Sequence, residues 1–393
     1  MPETLSLSRP APAGNPVETA LSLGRTFART AALHDRTAEL PVANFQALRQ
    51  AGLMGLTAPG PLGGRGAGLA EAAAVIGAIA GGEPSTALIL FMHYTNLAAI
   101  PRGRWDPALV EEVVGSGATQ GALINLLRVE PELGSPARGG LPLTTARATG
   151  SGWEISGHKI YSTGSTALGW MLVWAKTDEA VPRVGRFVVP AGSPGTHIKQ
   201  SWNALGMRAT ASHDVIFDKV TVPARYAADL RTPDQRKGKE PIEAAWHGTL
   251  LAAVYDAIAR SARDWLVTFL NERKPASLGA PLATLPRFQE AVGEIEKRLL
   301  VNRSLIERTG RDVDNGLAPP AEDSALLKVI VTENAIAVVE QCVKLSSNHG
   351  INRDNPLERH FRDVLCGRIH TPQDDSALAA SGRRALSRWS AEP

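Results

Sequence analysis

His370, Ser162, Thr163, Asn125 and His93 are the side chains in this chain whose types and settings could do chemistry. His370 directly precedes a helix-start signal in which Thr371 reads as the N-cap, Pro372 as the first helical residue and Asp374 as the acid of a capping box. A helix N-terminus carries partial positive charge and favours a neutral imidazole or an anion beside it, so His370 is a candidate catalytic donor. Thr371 is no general base, because a hydroxyl without an activating partner has a pKa far from any working pH. Ser162 and Thr163 close a strand-like run and either present hydroxyls to a ligand or close a turn before Gly164. Asn125 interrupts an apolar run, where an amide must either satisfy a buried backbone group or face a site. His93, in LILFMHYTN, is a further candidate, although a lone histidine in such a setting is more often a satisfied core residue.

Other chemistries lack their residues. No GxGxxG follows a strand, and the glycines of GGRGAG lack the Lys-Ser/Thr ending of a phosphate-binding loop. Cys342 and Cys366 are the only cysteines and have neither disulfide-framework nor zinc spacing, which points to reduced, cytoplasmic thiols. The 42 Lys+Arg nearly cancel the 39 Asp+Glu, so a charge of +3 over 393 residues leaves no nucleic-acid footprint. No apolar run is long enough to span a membrane, and the N-terminal MPETLSLSRPAPAGNP reads as a disordered tail, residues 1–16, rather than a signal peptide.

The elements that must position these residues fall into three blocks. Residues 17–118 are Ala- and Leu-rich with helical spacing. Residues 119–231 alternate short apolar runs with Gly, Pro and Asp turns and predict strands, in a small barrel or sandwich. A polar connector, TPDQRKGKEP, leads into residues 240–393, whose long amphipathic segments predict a four-helix bundle.

The order helices, strands, bundle, together with PGPLGGRGAG from Pro59, VEPELGS from Val129, GWEISGHKIYSTGS from Gly152, LGMRATASHDVIFDKVTVP from Leu205 and the pair Arg362-Asp363, resembles the acyl-CoA dehydrogenase superfamily over nearly the whole length. The resemblance implies an α+β multidomain fold, a flavin, and a homotetramer with shared cofactor sites. In that family the VEPELGS and KIYSTG segments lie against the flavin, which implies cofactor contacts from Asn125, Glu130, Ser135, Ser162 and Thr163. The catalytic glutamate's place falls on Thr371, and the threonine usual before Glu130 is replaced by Val129. The family's FAD-gripping patterns are also missing: Ser347-Asn348-His349-Gly350 and Glu272-Arg273-Lys274-Pro275 stand in their places, which argues for FMN over FAD, with Arg273 and His349 as candidate contacts.

The resemblance therefore points to the monooxygenase branch. There, FMN reduced by a separate flavin reductase reacts with O2 and holds a hydroperoxide among neutral donors, here His370, Ser162 and Asn125, to oxygenate a sulfur- or nitrogen-containing small molecule. The alternative is an FAD-dependent acyl-CoA dehydrogenase whose base is displaced to Glu243, a residue that also reads simply as a helix-start acid.

Overall fold

The computed structural model describes residues 14–133, 140–235 and 240–389. Five helices come first: α1 (Pro16–Thr37), α2 (Val42–Gln50), α3 (Leu69–Ala80), α4 (Pro84–Ala99) and α5 (Pro107–Thr119). Three of them start by one device, an Asn or acidic N-cap followed by proline. Asn15, Glu83 and Asp106 each accept backbone N–H groups that the first turn leaves without partners, and the proline gives up no hydrogen bond there. Helix α1 begins at Pro16, inside the stretch read as tail, and residues 1–13 lie outside those described.

Among the described residues eight strands follow: β1 (Leu123–Leu127), β2 (Thr145–Ala148), β3 (Gly152–Ser162), β4 (Leu168–Thr177), β5 (Val184–Pro190), β6 (Thr196–Lys199), β7 (His213–Pro223) and β8 (Ala227–Arg231). They form one sheet in the order β6-β7-β3-β2-β4-β5-β8, with β1 parallel to β4. The barrel-or-sandwich expectation thus resolves to a single connected sheet. β1 and β2 share one edge of β4, β1 along Leu168–Val173 and β2 at Lys176 and Thr177.

The C-terminal block contains α6 (Pro241–Glu272), α7 (Pro286–Asp314), α8 (Ala321–Ser346), α9 (Leu357–Leu365) and α10 (Asp374–Trp389). Helix α6 is its axis: every residue from Gly248 to Ala259 is buried, and α3, α7, α8 and α9 all pack against it. A helix buried all round needs apolar residues on every face, as LLAAVYDAIA supplies. Helix α1 crosses the α3–α4 turn closely; a Cβ on Gly24 would stand 2.3 Å from the Ala78 carbonyl oxygen, so only glycine fits.

The start of α10 differs from the sequence expectation. An N-cap carbonyl accepts the first intrahelical bond, but the Thr371 carbonyl accepts from His247 Nε2 at 2.9 Å, and the Thr371–Pro372 peptide is cis. The first bond falls instead on Gln373, whose carbonyl accepts from Ala377 N at 3.0 Å, so the helix starts at Asp374.

Candidate functional site

Strand β3 ends in a local irregularity that sets the first half of the site. The β3–β7 register shifts between Lys159 and Ser162, and Tyr161 takes a left-handed φ of 55°. Such a bulge turns the next side chain away from the regular pleat. Tyr161 stands out from the sheet, edge-on to Trp202, with ring centroids 6.3 Å apart. Ser162 turns inward, and its Oγ is buried without a hydrogen-bond partner among the described residues. A buried hydroxyl without a partner costs about 1–3 kcal/mol, so this one is poised for a group from outside the chain. Beside it, Thr163 Oγ1 pairs with Ser212 Oγ at 3.0 Å, and Ser212 pairs with Thr210 Oγ1 at 2.8 Å, forming a buried line of hydroxyls.

Three expected site residues are spent on the scaffold. Asn125 donates from Nδ2 to the Thr163 carbonyl at 2.9 Å and accepts Leu126 N–H at 2.7 Å, so the amide satisfies buried backbone and ties β1 to the end of β3. His93 has Nε2 3.1 Å from the Met54 carbonyl, while its Nδ1 accepts Ile124 N–H at 3.3 Å; burial pushes its pKa down to about 4, and it is a neutral core histidine. Glu130 accepts Lys159 Nζ and Thr144 Oγ1, both at 2.6 Å, Leu143 N at 2.7 Å and Thr144 N at 3.0 Å. Burial alone would raise this carboxyl, but those donors hold it below its ordinary range. Three of those four bonds fall on Oε1 and one, from Leu143 N, on Oε2, so the carboxylate is chiefly engaged in holding the sheet together. Ser135 lies outside the described residues.

The second half of the site is the chain between α9 and α10. Arg362-Asp363 fixes it in place. Arg362 forks onto Asp35 of α1 at 2.8 and 2.6 Å and onto Glu358 at 2.8 and 3.0 Å, while Asp363 Oδ1 accepts Met207 N–H at 2.6 Å. A Cβ on Gly206 would stand 2.2 Å from the Arg362 carbonyl oxygen, so a glycine is required at this crossing. Through Met207, whose carbonyl accepts Thr210 Oγ1 at 2.9 Å, the α9 anchor joins the hydroxyl line that reaches Thr163.

His370 sits on that chain, half-buried, its ring centroid 5.8 Å from that of Tyr255 on α6. Burial, and then the Lys328 ammonium, push its pKa down to about 4, so the imidazole is neutral. The Tyr255 hydroxyl is buried without a partner among the described residues. Lys328, wholly buried on α8, donates to Asp374 at 3.0 Å at the start of α10. His247 holds the Thr371 carbonyl and meets Phe91 of α4 edge-on at 5.2 Å. Tyr255, Lys328 and His247 were missed by sequence reasoning; each looks like helix-face patterning until α8, α9 and α10 close around α6. The residues from Cys366 to Gln373 include no carboxylate.

Arg273 and His349 lie elsewhere. Arg273 follows α6, exposed, and His349 follows α8 with its ring 5.0 Å from that of Phe269. From Tyr255, against which His370 packs, to Phe269, beside His349, helix α6 runs about 21 Å at 1.5 Å per residue, so within one chain these two are remote from His370. Glu243, in the first turn of α6, has its carboxylate 3.9 Å from Arg186.

Comparison with known proteins agrees with this architecture. Residues 23–102, 127–220 and 249–374 match the N-terminal, middle and C-terminal domains of acyl-CoA dehydrogenase. YdbM of Bacillus subtilis (strain 168), which carries the provisional name of an acyl-CoA dehydrogenase, is 32% identical over 90% of this chain and 91% of its own. The amino sugar nitrososynthase DnmZ of Streptomyces peucetius is 26% identical over 86% of this chain and 84% of its own. KijD3, solved with FMN and a dTDP-linked amino-keto sugar, superposes with a TM-score of 0.83 at 26% identity, covering 96% of this chain and 95% of that one. FMN-bound TdsC from Paenibacillus sp. A11-2, at 21% identity and a TM-score of 0.85 over 95% of this chain and 98% of its own, shares the fold. With the fold, the three domain matches and the YdbM similarity in agreement, this chain belongs to the acyl-CoA dehydrogenase family of flavoprotein oxidoreductases.

Proposed function

We propose that the protein is a flavin-dependent monooxygenase that uses O2 and reduced FMN, delivered by a separate reductase, to oxygenate a small molecule at sulfur or nitrogen. The observation that carries this reading is the α9–α10 chain, where the half-buried group packed on Tyr255 is a neutral imidazole and no carboxylate is present. Abstraction of a C–H proton needs a positioned base with a pKa near the working pH. Attack by a sulfur or nitrogen lone pair removes no such proton and asks for neutral hydrogen-bond donors in a site that excludes water.

The residues fit a flavin. The orphaned Ser162 hydroxyl and the adjoining Thr163–Ser212–Thr210 line offer donors and acceptors of the kind a ring edge bearing carbonyls and nitrogens requires. Bound in reduced form, the flavin supplies the two electrons that activate dioxygen. Ser162 would offer its free hydroxyl to the bound flavin, and His370, kept uncharged by burial and Lys328, would offer an N–H without releasing a proton. Tyr255 and Phe91 supply apolar surface that keeps water away. The nitrososynthase similarity supports an oxidised nitrogen, and that the KijD3 structure holds FMN beside an amino sugar supports the choice of flavin.

The YdbM similarity favours the second reading, an FAD-dependent acyl-CoA dehydrogenase with Glu243 as a displaced base. Anaerobic titration with acyl-CoA thioesters, on protein loaded with FMN and then FAD, separates the two. The oxygenase reading expects no bleaching of the flavin band. Bleaching that disappears in Glu243→Gln would overturn it.

A further inference from the structure

The start of α6 gathers more positive charge than its surroundings neutralise. Arg186, on β5, has a side chain only 15% exposed, and its Nε is buried without a partner among the described residues. Two carboxylates approach it, Asp229 and Glu243, both at 3.9 Å and so beyond hydrogen-bonding distance. Asp229 is already engaged by Arg231 Nε at 2.7 Å. Arg128, just after β1, lies over the Trp174 ring at 5.0 Å from its centroid, and its Nε too is buried and unpartnered among the described residues. Trp174 and Arg186 are cross-strand partners in the β4–β5 register, so they share one face of the sheet and bring the two guanidinium groups together. Arg102, exposed after α4, covers Trp246 at 5.4 Å.

The electrostatics agree with the geometry. Burial, and then the charge of Arg186, push the Arg128 guanidinium below its ordinary range, and only Glu243 opposes them. Burial lowers Arg102 likewise, again with Glu243 opposing. Glu243 is 41% exposed, so the one carboxylate shared by three arginines is also the one free to swing out. The helix behind it adds to the field: α6 has no side-chain cap, so its first N–H groups keep their partial positive charge. A settled ion-pair network would close these gaps with direct bonds, whereas here buried guanidinium donors stay open around a loosely held counter-ion.

We propose that this cluster binds an oxyanion, a phosphate or carboxylate on a small molecule, with Arg128 and Arg186 as its direct partners, Arg102 at the rim and Glu243 as the group it displaces. Planar guanidinium forks match either oxyanion, and tryptophan stacking holds Arg128 and Arg102 in fixed orientations. The cluster lies one helical turn before His247, which holds the Thr371 carbonyl, and the proposal does not rest on the oxygenase reading.

The test is calorimetric titration of the full-length protein with inorganic phosphate and, separately, acetate, at constant ionic strength held with chloride. Saturable binding is expected, weakened about tenfold or more in Arg186→Gln and in Arg128→Gln, since each removes charge-assisted hydrogen bonds. Glu243→Gln, at a half-exposed position where folding is not at stake, should tighten binding by removing the competing carboxylate. Stronger binding of one probe assigns a phosphorylated or a carboxylated ligand, and either supports the site. Absence of saturation with both probes, or affinities unchanged in Glu243→Gln and in whichever arginine variant folds, would overturn it. Because the readout needs no turnover, that failure would leave the oxygenase reading standing.

Discussion

Replacing Lys159 by methionine isolates a fully buried charge pair in the sheet. Lys159 Nζ donates to Glu130 Oε1 and to the Trp174 carbonyl, both at 2.6 Å, and neither side chain of the pair is more than 2% exposed. Without the ammonium, the Glu130 carboxylate keeps the Thr144 and Leu143 donors but loses its counter-charge where water cannot reach. Removing one member of a buried pair costs about 3–5 kcal/mol. Glu130→Gln should cost a similar amount, because its amide must point N–H groups at Lys159 Nζ, Thr144 Oγ1 or Leu143 N, all of them donors to Glu130 in the native protein. The double variant removes both charges and leaves the Trp174 carbonyl short of a donor and the Leu143 N–H short of an acceptor, about 2–3 kcal/mol together. The cycle should therefore show a coupling energy of at least about 3 kcal/mol, far outside additivity. Guanidinium chloride titration of the four proteins, followed by tryptophan fluorescence, measures it. Additive costs, or single variants that each lose less than about 1 kcal/mol, would refute the reasoning and return Glu130 to the list of cofactor contacts.

Further predictions concern acid stability, the α1 anchor and the site. His93, His360 and His370 are held neutral, pushed down to about 4, about 3 and about 4, so as pH falls below about 6.5 the unfolded chain gains three protons that the native chain refuses. Asp363 opposes them: burial pushes it up to about 7, so the native state holds a proton that the unfolded carboxyl releases above about 3.9. The balance is two protons, a loss of about 2.7 kcal/mol per pH unit between about pH 6 and 5; Asp363→Asn, whose amide oxygen can still accept Met207 N–H, should steepen that slope by about half in urea titrations at stepped pH. Arg362→Lys cannot reproduce the two forks onto Asp35 and Glu358 and should cost about 2–4 kcal/mol by thermal unfolding, a loss that Asp35→Asn should largely share. His370→Ala and Ser162→Ala should leave flavin affinity within about threefold while raising peroxide released per product formed; unchanged coupling in both would remove them from the site.

Much of the fold was legible because it is written locally. The N-caps Asn15, Glu83 and Asp106 stand directly before Pro16, Pro84 and Pro107, so three helix starts can be read from adjacent residues. The start of α10 was misplaced because Thr371 and Pro372 have the right identities, yet His247, 124 residues away, takes the carbonyl that an N-cap must offer. The site was less legible for the same reason. Asn125 and His93 sat in apolar text that demanded buried partners, and those partners, the Thr163 and Met54 carbonyls, lie 38 and 39 residues off. Lys159 with Glu130 and Arg362 with Asp35 pair across 29 and 327 residues, and no local pattern announces them. His370 and Ser162 remain as candidates because the structure leaves one neutral and the other without a partner.

The central claim, that the site is built to react with dioxygen rather than to take a proton from carbon, is tested most directly by stopped-flow absorbance. Anaerobic protein carrying reduced FMN is mixed with oxygenated buffer in the absence of substrate. The account predicts a distinct, long-lived spectrum before oxidised flavin returns, with a lifetime shortened in His370→Ala. Immediate return of the oxidised spectrum, unchanged by that substitution, would contradict it.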